Sequence, residues 1–195
     1  SVSGKTSHGA EPWQGINALE QGFGLFADLR EELMREEHPV LGRSTLQVTM
    51  AEGGIAPNMT PDRAQFLADI RIVPPLNEKE VLNRLECLIE KRCEVYNGGL
   101  SFTPEISNYR MPVETGPENQ WLHRLKGFIG DNAGETGINY FTDASIFLTA
   151  WPDSPALLFG PGEPQMCHKP NEYVEISKYF EAIRVMEKFC WYIAK

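Results

Sequence analysis

Apolar and polar positions change their spacing several times along this chain, and each change marks an element. Residues 1–7 predict a strand, followed by a polar Gly/Pro loop through Gly15. Ile16, Leu19, Phe23, Phe26 and Leu33 recur at helical spacing and predict an amphipathic helix to about Glu36, ended by Pro39 and Gly42. Leu46, Val48 and Met50 alternate with Thr45, Gln47 and Thr49, the period of a half-buried strand. After the turn-rich stretch Gly53–Pro61, Phe66, Ala68, Ile70 and Ile72 form one face of a second strand, with Gln65, Asp69 and Arg71 opposite. Pro74-Pro75 terminates it. Asn77 with Glu80 has the form of a capping box, and Val81, Leu82, Leu85, Leu88 and Ile89 give the next helix its stripe. Gly98-Gly99 stops that helix, and Leu100–Phe102 opens another strand.

The order through residue 107 is β-α-β-β-α-β, which predicts a ferredoxin-like α+β domain: an antiparallel sheet with two helices on one face. Any other α+β sandwich is the alternative. Residues 108–117 read as a linker. From 118 to 195 the pattern predicts helix (118–131), strand (138–141), helix (143–151), strand (155–159), loop, and helix (175–194). Ile176, Tyr179, Phe180, Ile183, Met186, Cys190 and Ile193 lie along one face of the last helix. Alternating α and β predicts parallel α/β packing. Two strands are too few to bury both faces of such a sheet, so this part is expected to be a partial α/β domain.

Composition narrows the partners. Lys and Arg total 18 against 27 Asp and Glu, a net charge of −9. No basic cluster stands out, which argues against nucleic acid and against an anionic membrane surface. No apolar run approaches the roughly 20 residues of a membrane span. Cys87, Cys93, Cys167 and Cys190 form no Cys-x-x-Cys pair, and reduced thiols fit a cytoplasmic protein. The chain starts Ser1-Val2-Ser3-Gly4-Lys5, without Met and in mid-strand, so it is expected to be a piece of a longer protein.

Candidate chemistry lies first in the stretch after Ala156-Leu157-Leu158-Phe159. There a Gly/Pro loop leads to His168 and a Lys-Pro-Asn-Glu turn. A histidine beyond a strand's carboxyl end is a candidate metal ligand or general acid/base, although a lone loop histidine is more often a surface residue. Other motifs accompany it in order: Gly4-Lys5-Thr6-Ser7-His8-Gly9-Ala10 with Pro12, Gly15, Asn17 and Ala18; Gly53 to Pro61 followed by Asp69-Ile70-Arg71; Thr142-Asp143-Ala144-Ser145; and Gly160-Pro161-Gly162 with His168 to Val174. Together they resemble the dinuclear-zinc amidohydrolases that include acetylornithine deacetylase, succinyl-diaminopimelate desuccinylase, aminoacylase and carboxypeptidase G.

The resemblance implies a lid that is also a dimerisation domain, followed by the C-terminal part of a zinc-bearing catalytic domain. It implies that His168 is the last protein ligand of one of two zinc ions. His8 would reach a partner subunit's site and stabilise the oxyanion formed at the scissile amide. Asn58 and Arg71 would hold the substrate's carbonyl or carboxylate, the latter through the planar guanidinium fork. Gly160 and Gly162 would let backbone approach the ligand. The expected substrate is an N-acyl amino acid or small peptide. The expected assembly is a homodimer through the first helix and the edge strand near 44–51.

Taken singly, each residue has a simpler reading. His8 is a polar turn residue, Asn58 a turn-former, Arg71 a cross-strand ion-pair partner and Asp143 a helix cap. His38 and His123 match no motif and are expected at the surface. The family's His-x-Asp motif does not occur in this chain. Glu31-Glu32 and Glu36-Glu37 are adjacent carboxylates, but they are expected on the solvent face of the first helix and not in a catalytic pair. The chain alone is therefore expected to be inactive and to hold no dinuclear zinc. A non-enzymatic dimerising or ligand-binding module is the alternative, and no Gly-x-Ser-x-Gly elbow supports a serine hydrolase.

Overall fold

The computed structural model describes residues 1–130 and 134–195, in two compact units, Ser1–Pro112 and Val113–Lys195. In the first unit, β1 (Val2–Ser3), α1 (Ala18–Leu33), β4 (Thr45–Gly53), β5 (Arg63–Arg71), α2 (Glu78–Val95) and β6 (Ser101–Phe102) follow in that order. Between α1 and β4 sits a small hairpin, β2 (Glu37–His38) with β3 (Gly42–Arg43). The main sheet runs β4-β5-β1-β6, every neighbouring pair antiparallel. The unit is thus an α+β domain with the β-α-β-β-α-β connectivity of a split ferredoxin-like unit.

The two helices pack on one face of this sheet. Leu29 and Leu33 of α1 meet Leu46, Leu76 and Val81 in one apolar cluster, with Phe26, Val48, Ile70, Leu85 and Leu88 around it. Val2, Ala18, Ala64 and Leu100 form a second cluster. Asn77 caps α2 as its sequence predicts: its side chain accepts from the Glu80 amide, and Glu80 Oε2 accepts from the Asn77 amide, both at 3.1 Å. Asn17 caps α1, accepting from the Leu19 and Glu20 amides.

Three expectations need correction in this unit. The buried line of α1 is Ala18, Gly22, Leu25, Leu29 and Leu33, one row away from the stripe read in the sequence, and Phe23 is half exposed. Gly22 within this row lets the helix sit close to the sheet. A Cβ at Gly22 would lie 2.1 Å from the Phe66 ring. Met50 does not continue the inward face of β4. The register slips at Thr49, between Val48 opposite Ala68 and Met50 opposite Leu67, and this bulge turns Met50 outward. Finally, α1 stops at Leu33, so Glu36 and Glu37 lie beyond the helix. Glu36 pairs with Arg84 of α2, and Glu37 with Arg43 across the small hairpin.

The second unit holds α3 (Gln120–Ile129), α4 (Ala144–Ala150) and α5 (Ile176–Ile193). The predicted end of the first of these at 131 lies outside the described residues. No strand forms at 138–141 or 155–159. A strand exists only with a neighbour to take its backbone bonds, and no other strand lies in this unit among the described residues. At Ala156 a side chain takes that role: Thr115 Oγ1 donates to its carbonyl at 2.7 Å and accepts from its amide at 3.0 Å.

The apolar face of α5 picked out in the sequence is not the face buried in this unit. Ala182 and Val185 are buried, while Ile176, Tyr179, Phe180, Ile183, Met186 and Ile193 are exposed. On the packed side, Trp121 of α3 meets Phe189 and Tyr192 edge-on at 6.3 and 6.1 Å. Arg124 lies over the Tyr192 ring at 4.2 Å. No helix of the described residues is long and apolar enough to cross a membrane.

Helix propensity alone predicts that Gly22→Ala stabilises by about 1 kcal/mol. The Phe66 contact predicts the opposite, a loss of about 1–3 kcal/mol. The urea unfolding midpoint decides the sign, and a rise would contradict the packing described here.

Candidate functional site

The loop from Gly4 to Ala10 is held by backbone bonds to the β4–β5 connection. The Gly4 amide donates to the Asp62 carbonyl at 2.7 Å, the Thr60 amide to Ser7 at 3.0 Å, and the Gly9 amide to Asn58 at 2.7 Å. Ser7 and Thr60 hydroxyls meet at 2.7 Å. The pairing is antiparallel, with His8 opposite Met59. His8 and Asn58 are therefore neighbours at one end of the sheet, and both are exposed.

His8 Nδ1 accepts from the Ala10 amide at 3.1 Å. A ring nitrogen that accepts carries no proton, so the neutral imidazole is assigned the tautomer with hydrogen on Nε2. That leaves an N–H donor on an exposed ring, the chemistry needed to stabilise a developing oxyanion. Asn58 contributes its main-chain carbonyl to the loop contact, and no hydrogen bond of its side-chain amide is present among the described residues.

Arg71 lies at the other end of β5. It is eight residue steps on from Arg63, which at about 3.3 Å each is roughly 26 Å. One lid therefore does not bring Arg71 to His8 and Asn58. Its guanidinium grips Asp69 of the same strand, Nε to Oδ1 at 2.6 Å and Nη2 to Oδ2 at 2.8 Å. The expected cross-strand ion pair is thus made along the strand instead. This hydrogen bond to Asp69 holds the Arg71 guanidinium above its usual pKa.

In the second unit, Gly160 and Gly162 open the loop that carries His168. A Cβ at either glycine would meet nothing within 4 Å. His168 has φ 61° and Asn171 φ 65°, left-handed conformations uncommon for residues other than glycine. The Glu172 carboxylate accepts from the His168 amide at 3.1 Å, and the Glu172 amide donates back to the Lys169 carbonyl at 3.1 Å. Lys178 of α5 ties Glu163 to the helix, and that hydrogen bond raises the Lys178 pKa. The Cys167 thiol faces the Tyr140 hydroxyl at 3.9 Å and raises the Tyr140 pKa. Asp143 precedes α4 without a side-chain capping bond.

Among the described residues no group of three or more His, Cys, Asp or Glu side chains could hold a metal ion. Among the described residues His168 is a single imidazole, and those residues do not fit a dinuclear zinc centre. A cavity of about 330 Å³ in the first unit is lined by residues including Trp13, Asn17, Glu20, Gln21 and Tyr96. None of His8, Asn58 or Arg71 lines it. His123 is exposed, 3.9 Å from Glu118. His38 accepts the Val40 and Leu41 amides in its hairpin turn.

Two contacts went unread in the sequence. The Asp69 grip on Arg71 was signalled by their i, i+2 spacing on one strand face. The Glu172 bond to the His168 amide had no comparable signal, because it depends on two left-handed residues in the turn.

Residues 1–97 match the family described as the peptidase dimerisation domain, M20_dimer. The chain is 27% identical to the acetylornithine deacetylase of Shigella sonnei over 205 residues, covering 98% of this chain and 51% of that protein. In fold it resembles an aminopeptidase from Bacillus cereus with a TM-score of 0.71 at 19% identity, over 100% of this chain and 50% of that one. It likewise resembles a metallo-carboxypeptidase of the M20 family from Sulfolobus solfataricus, with a TM-score of 0.64 at 16% identity, over 96% and 56%. The chain thus spans about half the length of the relatives it matches.

The His8 contact predicts a definite result in nitrogen NMR of the ring. Neutral His8 shows a protonated Nε2 and a bare Nδ1, and the pattern inverts or averages if the Ala10 bond is absent in solution.

Proposed function

We propose, from the match of residues 1–97 to the peptidase dimerisation-domain family, that this chain is the lid and C-terminal portion of a zinc-dependent amidohydrolase. Its substrate is an N-acyl amino acid or a small peptide bearing a free carboxylate. The observation that carries the reading is the 98% coverage of this chain by half of an acetylornithine deacetylase, together with the match over its first 97 residues. The peptidase and deacetylase relatives support reading the whole protein as a hydrolase.

The separation of the site residues supports a division of labour. His8 and Asn58 sit together at one end of the sheet and Arg71 at the other, so a single lid serves two substrate sites in a dimer. At one site the Nε2–H of His8 meets the oxygen that gains charge at the scissile amide, with the Asn58 amide beside it as a second donor. At the other, Arg71 holds the substrate carboxylate with parallel N–H donors. β4 lies at the edge of the sheet with its outer backbone groups unpaired by any strand among the described residues. Pairing it with a second copy across a two-fold axis satisfies those groups and supports a homodimer.

The bound metal pair would supply the activated water of such a hydrolase, but this chain holds only the candidate ligand His168. The exposed apolar stripe of α5 supports the same reading, because a helix apolar on two faces belongs inside a larger core. Cytoplasmic location belongs to this proposal as well.

Three measurements test it. The purified chain alone shows no hydrolysis of N-acetyl amino acids and no stoichiometric zinc. Stoichiometric zinc lost on His168→Ala would refute the claim that the chain is an incomplete site. Mixed with the missing half of the catalytic domain, the chain gains activity, and His8→Ala lowers kcat by about 100-fold or more, the usual loss when an oxyanion donor is removed. A folded but inactive complex counts against the enzyme and favours a non-enzymatic dimerising module. Light scattering gives a dimer mass for the chain, and a clean monomer removes the β4 interface.

A further inference from the structure

Asp69 and Arg71 are two residues apart on β5, so both side chains stand on the face of the sheet opposite the helices. Gln47 faces Asp69 and Thr45 faces Arg71 from β4, so neither acquires a charged cross-strand neighbour there. A guanidinium has two flat edges that each offer two parallel donors: Nε with Nη2, and Nη1 with the second proton of Nη2. Asp69 fills the first edge completely, with bonds of 2.6 and 2.8 Å. Among the described residues the other edge has no partner.

The pair is a poor candidate for a fold stabiliser. Both side chains are about half exposed, at 51% and 45%, and ion pairs of that kind contribute little to folding. It does, however, remove most of the rotamer freedom of a long side chain. An arginine already fixed in one orientation loses less when it binds a second carboxylate, which is the advantage of preorganisation.

We propose that Asp69 is the positioning residue for Arg71, clamping the Nε edge of the guanidinium so that its Nη1/Nη2 edge is presented to the carboxylate of the substrate. The inference rests on the reading of Arg71 as a carboxylate holder and adds the residue that sets its geometry. It also assigns specificity to carboxylates that bind end-on, since the side-on edge is taken within the chain.

The test uses the full 195-residue chain, nitrogen NMR of its arginine side chains and of the β5 amides, and N-acetylglycine as the probe. N-acetylglycinamide, which lacks the carboxylate, is the control. In the unsubstituted chain the Arg71 Nε–H is protected from exchange before ligand is added and stays so at saturation, while the Nη signals move. Asp69→Ala abolishes that protection and weakens N-acetylglycine binding about 3- to 10-fold, the loss expected when a planar fork is no longer preorganised. Asp69→Asn, which keeps one acceptor oxygen, falls between. Equal or tighter binding in Asp69→Ala overturns the proposal and makes Asp69 a bystander or a competitor. An unprotected Nε–H in the unsubstituted chain overturns it too. Failure of the underlying reading looks different: Arg71→Ala then binds as well as the unsubstituted chain, or the unsubstituted chain fails to distinguish N-acetylglycine from its amide.

Discussion

The antiparallel pairing of the first ten residues with 58–64 is the constraint on which the first unit depends. β1 is only two residues long, yet it is central, with β5 on one side and β6 on the other. Removing it would leave β6 with no neighbour in the sheet. The same pairing continues past the strand as bonds from Gly4 to Asp62, Thr60 to Ser7 and Gly9 to Asn58. It sets His8 beside Asn58 as a direct consequence of sheet register. The loop at that end is therefore held by the same kind of backbone ladder as the strand.

The other half of the sheet is shaped by two local devices. Gly22 lets α1 approach the Phe66 ring, and Phe23 and Phe26 pack against that ring at 5.1 and 5.6 Å. The bulge at Thr49 then reverses the facing of β4, so Met50 and Leu67 stand together on the open side of the sheet. Bulges on edge strands commonly re-aim side chains in this way. The open face thus carries an apolar pair and, two and four residues further along β5, Asp69 and the arginine it clamps. Between the helices, Arg92 binds Asp28 and Gln21, which fixes α2 against α1 on the closed face.

The second unit shows how differently helices and strands depend on their surroundings. Its helices form with side-chain caps or packed aromatic faces of their own, because helical backbone bonds are local. Its two predicted strands do not form, because strand bonds need a neighbour. The loop bearing His168 is nonetheless well defined by Glu172 and by the Lys178–Glu163 tie.

Much of this was legible in the sequence. The β-α-β-β-α-β order and the capping box at Asn77 and Glu80 follow from spacing and turn chemistry, which are local properties, whereas the candidate residues His8, Asn58, Arg71 and His168 were singled out through the family resemblance of their motifs. What the sequence misread were the quantities that depend on contact. Which row of α1 is buried was decided by Gly22 against Phe66, and where Met50 points by a one-residue slip. Whether 155–159 is a strand was decided by the lack of a neighbour, and what Arg71 grips by a carboxylate two residues away. By itself the sequence determined the elements, their order and the chemistry available. Only the tertiary structure decided register, facing and which donors are already engaged, because those depend on what lies across the gap from each residue.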